Sequence, residues 1–224
     1  MAKERGNKVQ GAKGISGYFS KFSKLFFHPK KFAESMNEEK DYQGIMFFYV
    51  KTYVWITILS TIITALILRS NNPTSTGGMI LNLLSGLIFS FVTPFIFAGI
   101  IHLGVLIFGG KQGYFNTYKP STYGAVLGMP YGIITSILSA ALILRVGSSQ
   151  ITDAYTSPEY IGLMIVFIIQ IIHVFYFEIA ALAKYQKMTK MKAFLALIII
   201  PLALLVLAVI FLVMFAGKTI TPLA

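Results

Sequence analysis

The sequence predicts an all-α polytopic membrane protein with five transmembrane helices, its N-terminus in the cytosol and its C-terminus on the far side. Three observations carry this. First, 56% of the 224 residues are hydrophobic and 12% charged, where a soluble domain carries about a quarter charged. Second, five apolar runs, near residues 46–68, 79–108, 123–145, 159–183 and 193–216, are each long enough to cross about 30 Å of hydrocarbon. Third, basic residues alternate between connections. Nine precede the first run, then come one (Arg69), two (Lys111, Lys119), one (Arg145), four (Lys184, Lys187, Lys190, Lys192) and one (Lys218). One side thus holds fifteen and the other three, with Lys51 inside the first run. The richer side faces the cytosol. The net charge of +11 is then a topology signal matched to anionic lipid rather than a nucleic-acid footprint. No cysteine is present, which removes disulfides and thiolate metal sites.

The elements follow in order. Residues 1–14 are polar and glycine-containing and read as a disordered basic tail. Residues 15–45 read as cytosolic amphipathic helices, without the apolar core of a signal peptide. In the first of these, Ile15, Tyr18, Phe19, Phe22, Leu25 and Phe26 recur at three and four residues and share one face. Lys21 and Lys24 flank it. Phe19, Phe22 and Phe26 are the membrane-interface candidates for a helix lying at the bilayer surface. The other reading packs this helix on the cytosolic ends of the spans. Pro29 suits the first position of a second short helix. Residues 46–216 form the five-helix domain, and 217–224 a short tail.

The second and third spans carry small or special residues every four positions. These are Gly86, Ser90, Pro94, Ala98 and His102, then Gly124, Gly128, Gly132, Ser136 and Ala140. Such stripes let helix backbones approach closely, which predicts a tight antiparallel hairpin. A glycine-lined conduit is the alternative. Pro94 and Pro130 should kink their spans. The "GGKQG" between them is no phosphate loop, because Lys111 is followed by Gln112 and both neighbours are membrane helices. Gly109 and Gly110 more simply end the second helix.

Ionisable and polar groups inside spans are costly and mark function. Lys51, His102, Gln170, His173 and Glu178 are the candidates. Lys51 lies near the cytosolic end, where it can snorkel or pair with Glu178. His102 is nine residues before Lys111 and His173 eleven before Lys184, which predicts similar depths. The two histidines, with Gln170, could assemble a metal or proton site between helices. Otherwise each is neutral and bonded to a backbone carbonyl or hydroxyl, and no metal or cofactor is required. An offset of 71 residues aligns seven identical pairs, among them His102/His173, Tyr114/Tyr185 and Pro130/Pro201. That predicts a parallel repeat of spans 2–3 and 4–5, with both histidines at one depth.

"KLFFHPKKFAESM" followed by "GGKQGYFNTYKPSTYGAVLGMP" resembles the Yip (Ypt/Rab-interacting protein) domain family. The matching positions are Phe27, Pro29 and Phe32, then Gly109, Gly110, Thr117, Tyr123 and Pro130. The resemblance covers roughly residues 18–215 and implies five spans with the same orientation. Eukaryotic members are linked to vesicle traffic, small-GTPase binding and membrane shaping. Their D-L-Y-G-P-type motif is replaced here by "FFHPKKFAES", as in the prokaryotic branch, so no GTPase partner is expected. A prokaryotic member would sit in the cell membrane.

The function expected is that of a non-enzymatic integral membrane protein that organises bilayer or recruits partners. Its partners would be lipid and other membrane proteins or further copies of itself. A small transporter or channel, built by an oligomer, is the alternative. An intramembrane enzyme is disfavoured, because H-E-x-x-H, G-x-S-x-G and a pair of intramembrane aspartates are lacking.

Overall fold

The computed structural model describes residues 15–68, 76–146 and 155–219. The tail at 1–14, the connection around Arg69, residues 147–154 and the last five residues lie outside the described residues. Two short helices open the chain, α1 (Ile15–Phe27) and α2 (Pro29–Ser35), and one 3-10 turn (Met36–Glu38) follows. Five long helices come next: α3 (Tyr42–Leu68), α4 (Thr76–Ile107), α5 (Phe115–Val146), α6 (Pro158–Tyr185) and α7 (Lys190–Thr219). All five are long and apolar enough to span a bilayer. Pro94 and Pro130 lie inside helices that continue past them.

Helix ends follow local chemistry. Pro29 takes the first turn of α2, where its missing N–H costs nothing. The hydroxyl of Ser157 accepts from the Tyr160 amide at 3.2 Å and caps α6. Glu159 in that first turn receives both bonds of Arg145, each 3.1 Å, so an ion pair ties the end of α5 to the start of α6. At the end of α4, Gly109 adopts φ +85°. The Gly110 amide donates to the Val105 carbonyl at 2.8 Å, which reverses the chain and satisfies a terminal carbonyl. The sequence-predicted helix stop at Gly109–Gly110 therefore sits where it was expected.

The largest boundary difference is α5, which begins eight residues before the predicted span at 123. "FNTYKPST" is too polar for a hydropathy window but folds as helix. Its first turn is closed by the Asn116, Thr117 and Tyr118 amides bonding back to Gly113 and Tyr114.

Successive long helices run antiparallel, so α3 and α5 run parallel. α5 is central and packs most extensively on α6 and α3, while α7 closes on α4 and α6. The ends carrying Lys111, Lys119, Lys184, Lys190 and Lys192 gather on one side, here called the basic end. Nearly the whole core lies there: Ile45, Phe48 and Tyr49 of α3, Ala98, Ile101 and Val105 of α4, Tyr118 to Leu127 of α5, Phe177 to Tyr185 of α6, and Ala193 to Leu197 of α7. Beyond it, 53–67, 159–176 and 198–214 contain no buried residue. The last of these stretches is about 26 Å long at 1.5 Å per residue, close to one hydrocarbon thickness.

Candidate functional site

The α5–α6 seam, running inward from the basic end, holds most of the intramembrane polar groups. α5 brings Gly124, Gly128 and Tyr131 to this seam, and α6 brings Glu178, Val174, Gln170 and His173. Glu178 is 4% exposed, and its carboxylate lies where a Cβ on Gly124 would stand. A Cβ on Gly128 would meet the Gln170 amide nitrogen at 3.1 Å and Val174 at 3.6 Å. Further along, the Tyr131 hydroxyl and His173 Nδ1 are hydrogen-bonded at 2.7 Å. As α5 advances, its partner on α6 retreats, so glycines at spacing four on one helix receive longer side chains at spacing four on the other.

This corrects the expected hairpin. Gly124 and Gly128 do not serve close contact with α4. They open room for α6 side chains. Gly132 has nothing within 4 Å of an added Cβ. On α4 the close helix contact is at Gly104, whose added Cβ would stand against the Ala196 backbone of α7, with Cα at 3.0 Å. Gly86 instead receives the Tyr53 hydroxyl from α3. Repetition at four residues reports small residues but not which neighbour fills the space.

A second cluster sits at the turn. His102 Nδ1 bonds to the Thr117 hydroxyl at 2.8 Å. The Gln186 amide group donates to the same hydroxyl at 2.9 Å, and its carbonyl oxygen accepts the Gln112 backbone amide at 3.1 Å. The four residues tie the α4–α5 turn to the end of α6. Lys119 is 4% exposed. Its ammonium lies 4.9 Å from the centre of the Phe115 ring and 4.7 Å from that of Tyr185, where ring faces take the place of water around the charge.

The two histidines do not meet. Their partners Thr117 and Tyr131 are fourteen residues apart on α5, about 21 Å of helix. His102 lies five residues before the end of α4, and His173 twelve before the end of α6. The equal depth implied by a 71-residue repeat is therefore not found. Lys111 does not mark the same depth as Lys184, because it lies past the chain reversal at Gly109–Gly110 whereas Lys184 is still in the last turn of α6. Among the described residues no three His, Asp or Glu gather as metal ligands would. Lys51 is exposed on α3 and does not pair with Glu178. The two ion pairs among the described residues are Lys21–Glu39 and Arg145–Glu159.

α1 and α2 close the basic end from one side. Leu25, Phe32, Ala33 and Met36 are buried. Phe22 and Phe26 turn toward the bundle, and the Phe26 ring packs edge-on against His173 at 5.3 Å. The Tyr18 hydroxyl donates to Thr52 at 2.9 Å. Burial pushes the Tyr18 phenol above its ordinary range, with the Thr52 bond opposing the shift. The Tyr185 hydroxyl donates to the Ala33 carbonyl at 2.7 Å and the Lys184 ammonium to the Glu34 carbonyl at 2.9 Å. Glu39 pairs with Lys21 and accepts the Tyr123 hydroxyl at 2.8 Å. Of the three interface candidates only Phe19 faces outward, at 60% exposure, and Phe27, at 69%, joins it. Sequence reasoning missed Glu39 and the seating of Lys119, since neither falls in a recognisable motif. The match of glycines on α5 to Gln170, Val174 and Glu178 on α6, all at spacing four, was a usable signal.

Residues 23–212 match the family model described as the Yip1 domain. No curated protein and no solved structure matches the chain.

Proposed function

The chain belongs to the Yip1 domain family as a multi-pass membrane protein, and from that premise we propose a non-enzymatic role in shaping membrane or recruiting partners to it. The distribution of lysine and arginine supports a basic end that faces the cytosol. In a prokaryotic cell the membrane would be the cell membrane. The observation that carries the reading is the two-sided character of α1. One side, with Tyr18, Phe22, Leu25 and Phe26, is fixed to the bundle by packing and the Tyr18–Thr52 bond. The other presents Phe19 and Phe27 with Lys24. An interfacial helix needs such apolar groups beside cations. Because α1 is anchored, its insertion into the headgroup region is coupled to the five spans rather than to a free tether.

The test is the double variant F19S/F27S in the full chain, reconstituted in vesicles containing anionic lipid. Insertion and thermal stability should be retained, because both rings face outward, while vesicle deformation or partner capture drops several-fold. Unchanged deformation and unchanged capture would overturn the proposal.

A further inference from the structure

A half-open cavity of about 420 Å³ lies between α1 and α3, lined by Tyr18, Phe19 and Phe22 on one side and Thr52, Trp55, Leu59 and Ile62 among others on the other. Its two hydroxyls are already used. Tyr18 donates to Thr52, and Thr52 donates to the Phe48 carbonyl at 2.8 Å. What remains for an occupant is apolar wall. From Thr52 to Ile62 the groove follows α3 for ten residues, about 15 Å. That is half of a 30 Å hydrocarbon core, the depth of one leaflet.

Lys51 stands at the upper end. It is exposed and belongs to neither of the ion pairs among the described residues. On the helix it shares a face with Trp55, Ile58 and Ile62, at steps of four, three and four residues, and all three line the groove. It also marks the place where α3 changes character. Before it lie the buried Ile45, Phe48 and Tyr49, and after the buried Thr52 comes the stretch 53–67 without a buried residue. A cation inside a span needs a partner or a route to the headgroups, and here the groove runs directly below it. Trp55, the single tryptophan of the chain, is 65% exposed one turn deeper, the position of an interfacial aromatic anchor.

We propose that this groove binds one anionic phospholipid of the leaflet facing the basic end, its acyl chain along α3 against Phe19 and Phe22 and its phosphate at Lys51. The site rests on the placement of α1 at the membrane surface given above, but it requires no membrane deformation. Its occupant is selected by charge at Lys51 and by apolar contact below, so a zwitterionic lipid of equal chain length fills the same wall with less gain.

Trp55 is a built-in reporter. The full chain is reconstituted in phosphatidylcholine nanodiscs doped with phosphatidylglycerol or phosphatidylcholine carrying brominated acyl chains. The apparent association at Trp55 should favour phosphatidylglycerol about five-fold, the factor one lysine contributes at an anionic surface. K51Q should bring the ratio to about one, and K51R should keep it. A W55F/L207W variant moves the reporter to the far part of α7 and should show no preference. Equal quenching by both lipids in the unaltered chain, or a preference that survives K51Q, would overturn the site. Phe27 lines no part of the groove, so loss of deformation in F27S alone is read separately, and either proposal can fail while the other stands.

Discussion

The basic end of the bundle and its far part are built on different terms. At the basic end nearly every helix contributes buried residues, and polar side chains find each other across helices: His102 and Gln186 with Thr117, Tyr123 with Glu39. In 53–67, 159–176 and 198–214 nothing is buried and most exposed side chains are large and apolar. A bilayer satisfies that second half, since lipid tails are as apolar as leucine and give helices little hydrophobic reason to associate. Specific structure therefore concentrates where the helices emerge toward the lysines. The far part supplies length and solubility in lipid.

The sharpest way to break this contrast is to truncate the core of the basic end. Leu182 and Phe177 are fully buried, so Leu182→Ala or Phe177→Ala should cost about 2–5 kcal/mol, read by thermal unfolding in detergent or nanodiscs. A cost below about 1 kcal/mol would mean that the end is not close-packed.

Next comes the glycine test. A methyl at Gly104 meets the Ala196 backbone, which cannot rotate away, and a methyl at Gly124 meets the Glu178 side chain, which can. Gly104→Ala should lower stability by about 1–3 kcal/mol and Gly124→Ala by less. Gly132→Ala meets nothing within 4 Å and should be neutral or stabilising by up to about 1 kcal/mol, through helix propensity. Equal effects at the three positions would return the stripe to a uniform packing role. Smaller again is Tyr123→Phe, which removes one bond to Glu39 and leaves the Lys21 pair in place. It should cost about 1 kcal/mol and loosen α1–α2, seen as faster proteolysis before Tyr42.

How much of this was legible in the sequence follows from the same contrast. The five spans, the stop at Gly109–Gly110 and the start of α2 at Pro29 depend on local composition and backbone geometry, and a single chain displays those directly. The partners of Gly124, Gly128 and Gly104 depend on which helix lies opposite, and apolar periodicity is nearly uniform around these helices. Phe22 and Phe26 illustrate the limit. Their spacing identifies a face, but the same face suits a bilayer surface or a bundle, and tertiary packing decided for the bundle. The histidine depths were hidden for a different reason: the chain reverses at Gly109–Gly110, between His102 and Lys111, so residue spacing there does not measure depth.

The smallest expected effect is also the one that defines the boundary. Leu207 on α7 lies in the stretch 198–214, where no residue is buried. In the bilayer its side chain touches lipid when the helices are assembled and when they are separated, so removing it forfeits little difference between those states. Leu207→Ala should stay within about 0.5 kcal/mol of the unaltered chain, at most a tenth to a quarter of the Leu182→Ala effect on the same instrument. The pair isolates position, because residue type and truncation are identical. If Leu207→Ala costs as much as Leu182→Ala, the far face of α7 is covered by another copy or partner in the membrane. If it costs nothing, α7 meets lipid at Leu207.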